Sequence, residues 1–330
     1  MRVGSGTTLF RGNRTSKSLL GSQEASLGVF LVALLVVLIA ATRGSFVQGR
    51  NVADLLVNAS FPAVAAIGMT LVIVGGEIDI SIGSILAVCA VLSGNLAVAG
   101  VPLPLVIVAA ILAGTALGAL NGVLVAYAKI PAIIVTLGAL SFWRGLVITV
   151  TQGAWIYNMP ESFHFAQRSL LGIPVPIYIM GVAVVLGALW MRYRKVGRYV
   201  YAVGGNRQAS TLAGIPVQRI LFMNLTLNGT FAALASLIYA SRFSVVQSNA
   251  GIGFEFQVIT AVVIGGTSIM GGTGTIWGSL IGAVLMAVIA TGMTFLRVSP
   301  YWLQTFQGVL ILLAVTIDVL RRRSRGETIL

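Results

Sequence analysis

The chain of 330 residues has one cysteine, one histidine and eight acidic residues, and only 9% of its residues are charged. Each scarcity removes a class of protein. A single cysteine, Cys89, can form neither an internal disulfide nor a cysteine metal cluster. A single histidine, His164, excludes most histidine-based metal sites and nucleophilic triads. An ordinary soluble domain carries about 25% charged residues, so this chain lacks the polar groups to cover a water-facing globule. With 57% hydrophobic residues and a mean hydropathy of +0.98, it must be solvated mostly by lipid. A single soluble core, a disordered tail and a nucleic-acid-binding domain are excluded together.

What is present is apolar runs with basic punctuation. The net charge of +13 is spread between the runs and forms no face, a pattern that sets membrane orientation and meets anionic headgroups. A crossing helix needs about 20 mainly apolar residues. Ten stretches qualify: 25–42, 52–74, 82–98, 103–126, 132–150, 175–191, 220–240, 254–270, 276–295 and 302–320. With ten crossings and the N-terminus inside, fifteen of the 21 basic residues fall inside, five outside and one, Arg144, within a span. Both termini are therefore expected to be cytoplasmic. The expected organisation is an N-terminal cytoplasmic segment 1–25, one transmembrane domain 26–320 and a cytoplasmic tail 321–330. The longest inner loop is 192–219 and the longest outer loop 151–174. His164, in that outer loop, is expected to be exposed, and Cys89 to pack as a small apolar residue. With no soluble domain, the energy source is another chain or an ion gradient.

Three segments carry more than hydrophobicity. Residues 68–84 read GMTLVIVGGEIDISIGS, where Gly75 and Gly76 each weaken a helix by about 1 kcal/mol relative to alanine. One reading is a broken helix whose Gly75, Gly76, Asp79, Ser81, Gly83 and Ser84 help set a gate. The other is a short turn with Asp79 or Ser81 capping the next helix. The two are compatible. Residues 259–282 read ITAVVIGGTSIMGGTGTIWGSLIG. Gly265 and Gly266 echo Gly75 and Gly76, as in the internal repeats of transporters. Gly271, Gly272 and Gly274 lack the G-K-[ST] of a phosphate loop, so close helix packing is the preferred reading. Residues 192–219 open with four basic residues and offer a helix-like stretch over 207–214, stopped by Pro216. That stretch either docks into a partner's groove or lies on lipid headgroups. Arg144 either lines a path or pairs with a carboxylate, or it snorkels outward beside Trp143, the preferred reading.

Together these segments resemble the membrane permeases of ABC importers for sugars, the branch that contains the ribose permease. GMTLVIVGGEIDISIGSILAV, VGRYVYAVGGNRQASTLAGI and VITAVVIGGTSIMGGTGTIWGSLIGAV stand in that family's order and spacing, and the likeness runs from about residue 51 to 318. The resemblance implies an all-α polytopic fold of about ten transmembrane helices in the bacterial inner membrane. It also implies a second permease protomer, identical or homologous, an ATP-binding subunit on the inside and a sugar-binding protein on the outside. Residues 205–214 match the coupling segment, which assigns ATPase contact to Gly205, Asn206, Arg207, Ala209, Leu212 and Gly214. Arg207 and Gln208 depart from the Glu and Ala that related permeases often carry there. Glu77 stands where relatives are commonly neutral, whereas Asp79 matches. KIPAIIVTLGALSFWRG and TQGAWIYNMP look closer to permeases for autoinducer-2 and for deoxy-sugars such as rhamnose than to those for ribose, xylose or galactose. No catalytic residue, metal or cofactor is expected. An ion-coupled secondary transporter using Glu77 and Asp79 is the alternative. An intramembrane enzyme, with only an acidic pair to work with, ranks last.

Overall fold

Long runs of Ala, Val, Leu and Ile without charge leave the backbone one economical way to satisfy its polar groups in lipid, the α-helix. The computed structural model, which describes residues 23–299 and 301–324, is built almost wholly of helices. In chain order they are α1 (Gln23–Ala41), α2 (Gly49–Val74), α3 (Ile82–Val98), α4 (Leu103–Ala126), α5 (Ala132–Thr151) and α6 (Val175–Tyr193). Then come α7 (Lys195–Gly205), α8 (Arg207–Leu212), α9 (Val217–Phe243), α10 (Phe254–Ile264), α11 (Ile276–Phe295) and α12 (Trp302–Ser324). Six of them, α2, α4, α5, α6, α9 and α11, are long and apolar enough to cross a membrane, while the apolar parts of α1, α3, α10 and α12 are shorter. Most of the expected segment 1–25 and the end of the tail lie outside the described residues.

The centre is α2 and α9. From Ala59 to Val74 nearly every residue of α2 is buried. Alongside, α4 approaches α9 through Gly114 and Gly118 against Gly229, where a Cβ on Gly114 would stand 2.5 Å from the Gly229 carbonyl. Such small-residue seams replace the hydrophobic driving force that lipid does not provide between helices. The outer helices α4, α5 and α6 turn Leu112, Ile134, Phe142 and Leu186 outward, each more than 60% exposed. A surface that apolar suits hydrocarbon.

Two stretches depart from the expected spans. Residues 192–219 are no open loop: α7 precedes the short α8, burying Gly197, Val200 and Val203 at helical spacing. The stretch 254–270 is helical only to Ile264, because the chain turns at Gly265 and Gly266, the latter at φ 94°. The loop 151–174 is folded down rather than free. Ile156 bridges to Val246, the Ala166 amide donates to Ser241 Oγ at 2.8 Å, and a tight hairpin pairs β1 (Ser169–Leu170) with β2 (Ile173–Pro174). His164 is accordingly half-buried, not exposed. Cys89 is fully buried.

Two helix starts lie inside the bundle. At 1.5 Å per residue, α3 and α10 are about 25 Å and 16 Å long, and each follows a non-helical stretch. Their first turns meet: a Cβ on Gly83 would collide with the Gly251 carbonyl and with the carboxylate of Glu255. Non-helical backbone at such depth is tolerated where protein buries it.

Candidate functional site

At the end of the bundle that carries α8, the three flagged segments converge. The α2 helix stops at Val74, and the Gly272 amide donates to the Val74 carbonyl at 2.8 Å. Gly204, at the end of α7, sits over the same carbonyl, where any Cβ would overlap it. Gly76 at φ 80° turns the chain beneath, with Gly271 packed on it. Tyr201 Oη donates to the Gly274 carbonyl at 2.8 Å. Thr70 and Ser279 hydroxyls, 2.7 Å apart, join α2 to α11 just beyond. Gly76, Gly204, Gly271 and Gly272 thus form one junction of closely stacked backbone, with Gly75 beside it against the Asn224 amide and Gly274 against the Thr267 side chain.

Two charges from separate segments, Glu77 and Arg207, are partners. Arg207 Nη2 lies 2.6 Å from Glu77 Oε1 and donates also to the Gly76 carbonyl at 3.0 Å. This fastens the first residue of α8 to the turn after α2. Asn206 caps α8, its Oδ1 accepting from the Ala209 amide at 2.8 Å. Beyond the cap, Gly205, Asn206, Arg207, Ala209, Leu212 and Gly214 are all exposed, and Leu212 is 86% so. A groove of about 700 Å³ beside α8 is lined by Glu77, Lys129, Ile130, Arg207 and Met270.

Deeper in, Asp79 is fully buried and fully engaged. Its Oδ1 accepts from the Ser81 amide at 2.8 Å and the Ser81 hydroxyl at 2.6 Å, and its Oδ2 accepts from Asn228 Nδ2 at 2.9 Å. Asn121 in turn donates to Ser81 Oγ at 2.8 Å, and Asn224 donates to the Leu71 carbonyl at 3.0 Å. The capping expectation needs correction: Ser81 holds the N-cap position of α3, but its hydroxyl donates to Asp79 and makes no cap bond. Asn121, Asn224 and Asn228 were not singled out from sequence. The visible signal was an asparagine inside each of two apolar runs, with Asn224 and Asn228 one helical turn apart.

Gly83 and Ser84 belong elsewhere, in the first turn of α3, where Gly83 meets Gly251 and Glu255 and Ser84 Oγ donates to the Ser81 carbonyl at 2.8 Å. Gly265 packs on Gly278 at the start of α11. Arg144 does not snorkel beside Trp143. Its guanidinium donates to the Ala250 carbonyl and interacts electrostatically with Glu255, because the loop before α10 dips toward α5 and offers it a partner.

A helical bundle with six helices long and apolar enough to cross a membrane, closed at one end by a junction of stacked glycines, suits a polytopic membrane protein. More narrowly, the chain belongs to the family described as branched-chain amino acid transport system, permease component, whose model matches residues 51–315. It is 37% identical over 295 residues to the ribose import permease protein RbsC of Escherichia coli, covering 87% of this chain and 92% of that one. The ribose import permease of Bacillus subtilis is also 37% identical, over 298 residues, with 88% and 92% covered. The autoinducer 2 import system permease protein LsrC of Escherichia coli is 37% identical over 287 residues, with 87% and 84% covered. No solved structure matches.

Proposed function

We propose that this chain is the non-catalytic permease subunit of an ABC importer that brings a monosaccharide or sugar-like solute into the cytoplasm, powered by a separate ATPase. The names of its relatives, ribose and autoinducer-2 importers, support a sugar-like cargo over the amino acid in the family's description. The observation that carries the mechanism is the fastening of exposed α8 to the junction of Gly76, Gly204, Gly271 and Gly272. A push on Leu212 and its neighbours reaches the end of α2 and the stretch between α10 and α11 through close backbone contacts. ATP binding by the partner supplies the bias between states that solute binding alone lacks.

In this reading the α8 end is cytoplasmic, about ten helices cross the membrane, and both termini lie inside, in keeping with the basic residues gathered there. The tight packing of α2 against α9 supports a path between two protomers rather than through one. A binding protein delivers the solute from the opposite face, where 151–174 is folded down. Lipid surrounds α4, α5 and α6. The ion-coupled alternative has lost its footing: Asp79 has both oxygens engaged by neutral donors, and Glu77 is paired with Arg207.

The test is Leu212→Asp in the chain reconstituted with its partner ATPase and binding protein. Co-purification of the ATPase and ATP-driven uptake should both be lost, with the thermal unfolding midpoint unchanged. Full uptake by that variant would remove α8 as the docking element.

A further inference from the structure

Glu255 is a charge that the mechanism above does not use. It is the second residue of α10, only 5% exposed, and its Oε2 has no hydrogen-bond partner among the described residues. A buried carboxylate oxygen without a donor is costly and calls for an explanation. Three elements meet at this carboxylate. The first turn of α10 carries the carboxylate, the first turn of α3 meets it at Gly83, and the Arg144 guanidinium acts on it from α5. A side chain on Gly83 would fill the space the carboxylate occupies. The carboxylate is thus held from three elements, with its Oε2 covered by α3 at Gly83.

The same residue helps wall a cavity of about 400 Å³ shared with Ile252, Gly253, Phe256, Gln304 and Gln307. Gln307 is 4% exposed, and the Gln304 amide nitrogen stands 3.2 Å from where a Cβ on Gly253 would be. These glutamines lie on the side of α12 that faces α10, whereas Val309, Leu312 and Leu313 point outward. A carboxylate acceptor, two carboxamides that both donate and accept, and one aromatic ring suit a neutral molecule with many hydroxyls and an apolar face. An anionic solute would be repelled by Glu255. The volume suits a single sugar ring.

We propose that Glu255, Gln304 and Gln307 form a hydroxyl-binding station for the solute on its passage through the permease, a site that rests on the importer reading. The test has two arms, and the first needs no transport. In the full chain in proteoliposomes, Gln304→Cys should react with a small charged methanethiosulfonate about tenfold faster than Val309→Cys on the other face of α12, as thiols reached by water do. Equal, slow reaction would mean a lipid-filled crevice and would overturn the site. In the second arm the assembled importer takes up labelled D-ribose. Glu255→Ala should lower uptake about tenfold and Glu255→Gln less, the loss expected for a hydrogen bond to a charged group, while binding-protein-stimulated ATP hydrolysis persists. Uptake unchanged in Glu255→Ala, or hydrolysis lost in step with uptake, overturns the proposal. A wild-type chain that shows no ATP-driven uptake overturns the importer reading instead, and the labelling ratio still decides whether a watered cavity exists.

Discussion

Arg207 is half exposed and Glu77 mostly covered, so their 2.6 Å contact is screened by water on one side. An ion pair of this kind contributes about 0.2–1 kcal/mol. Its value lies in what it ties together. Arg207→Ala should cost under about 1 kcal/mol in thermal unfolding yet reduce uptake at a constant amount of bound ATPase. The exchange Glu77→Arg with Arg207→Glu should recover part of that uptake, and failure of the double variant to exceed either single one would count against the tie. Asn228 presents the opposite balance. Its amide is the donor to Asp79 Oδ2 in a dry interior, so Asn228→Ala should destabilise the chain by about 1–3 kcal/mol, seen as a lower melting midpoint in detergent. Sequence marked Glu77, Asp79 and Arg207 as noteworthy but could not pair them. Positions 130 apart share no periodicity, and an asparagine in an apolar run does not say which carboxylate it faces.

At the level of helices, the positions of α3, α4 and α11 were legible to the residue, because glycine, proline or charge stops each apolar run where lipid ends or the backbone turns. What stayed hidden was α7. Its buried residues Gly197, Val200 and Val203 follow Lys195 and flank Arg198, and they never fill a window of 20 apolar residues, so a search tuned to membrane spans passes over it. Equally hidden was the contact of α7 with α2, since Gly204 looks like any loop glycine until the Val74 carbonyl is seen above it. Gly204→Ala should therefore abolish uptake and lower the yield of monodisperse protein. Gly181→Ala in α6, with nothing within 4 Å of the added methyl, should leave both unchanged.

For the whole molecule, the fold class and the transport role were readable from composition and three long motifs, whereas the arrangement that makes them one device was not. The break after α2, the end of α7 and the stretch between α10 and α11 are widely separated in sequence, and only the helical packing superimposes them at one end of the bundle. If force enters there from a separate ATPase, the purified chain alone in liposomes should concentrate no D-ribose under a proton or sodium gradient. With its ATPase and binding protein added, uptake should require ATP and withstand a protonophore. Accumulation by the lone chain would end the importer reading.

The bond from Arg207 to Glu77 also restricts how such machines exchange parts. A helix carrying an acidic residue at position 207, grafted into this chain, would set a second negative charge against Glu77, and the two would push the graft away from its seat. Such a helix would seat only if position 77 changed with it, so the pair binds two distant segments into one unit of exchange.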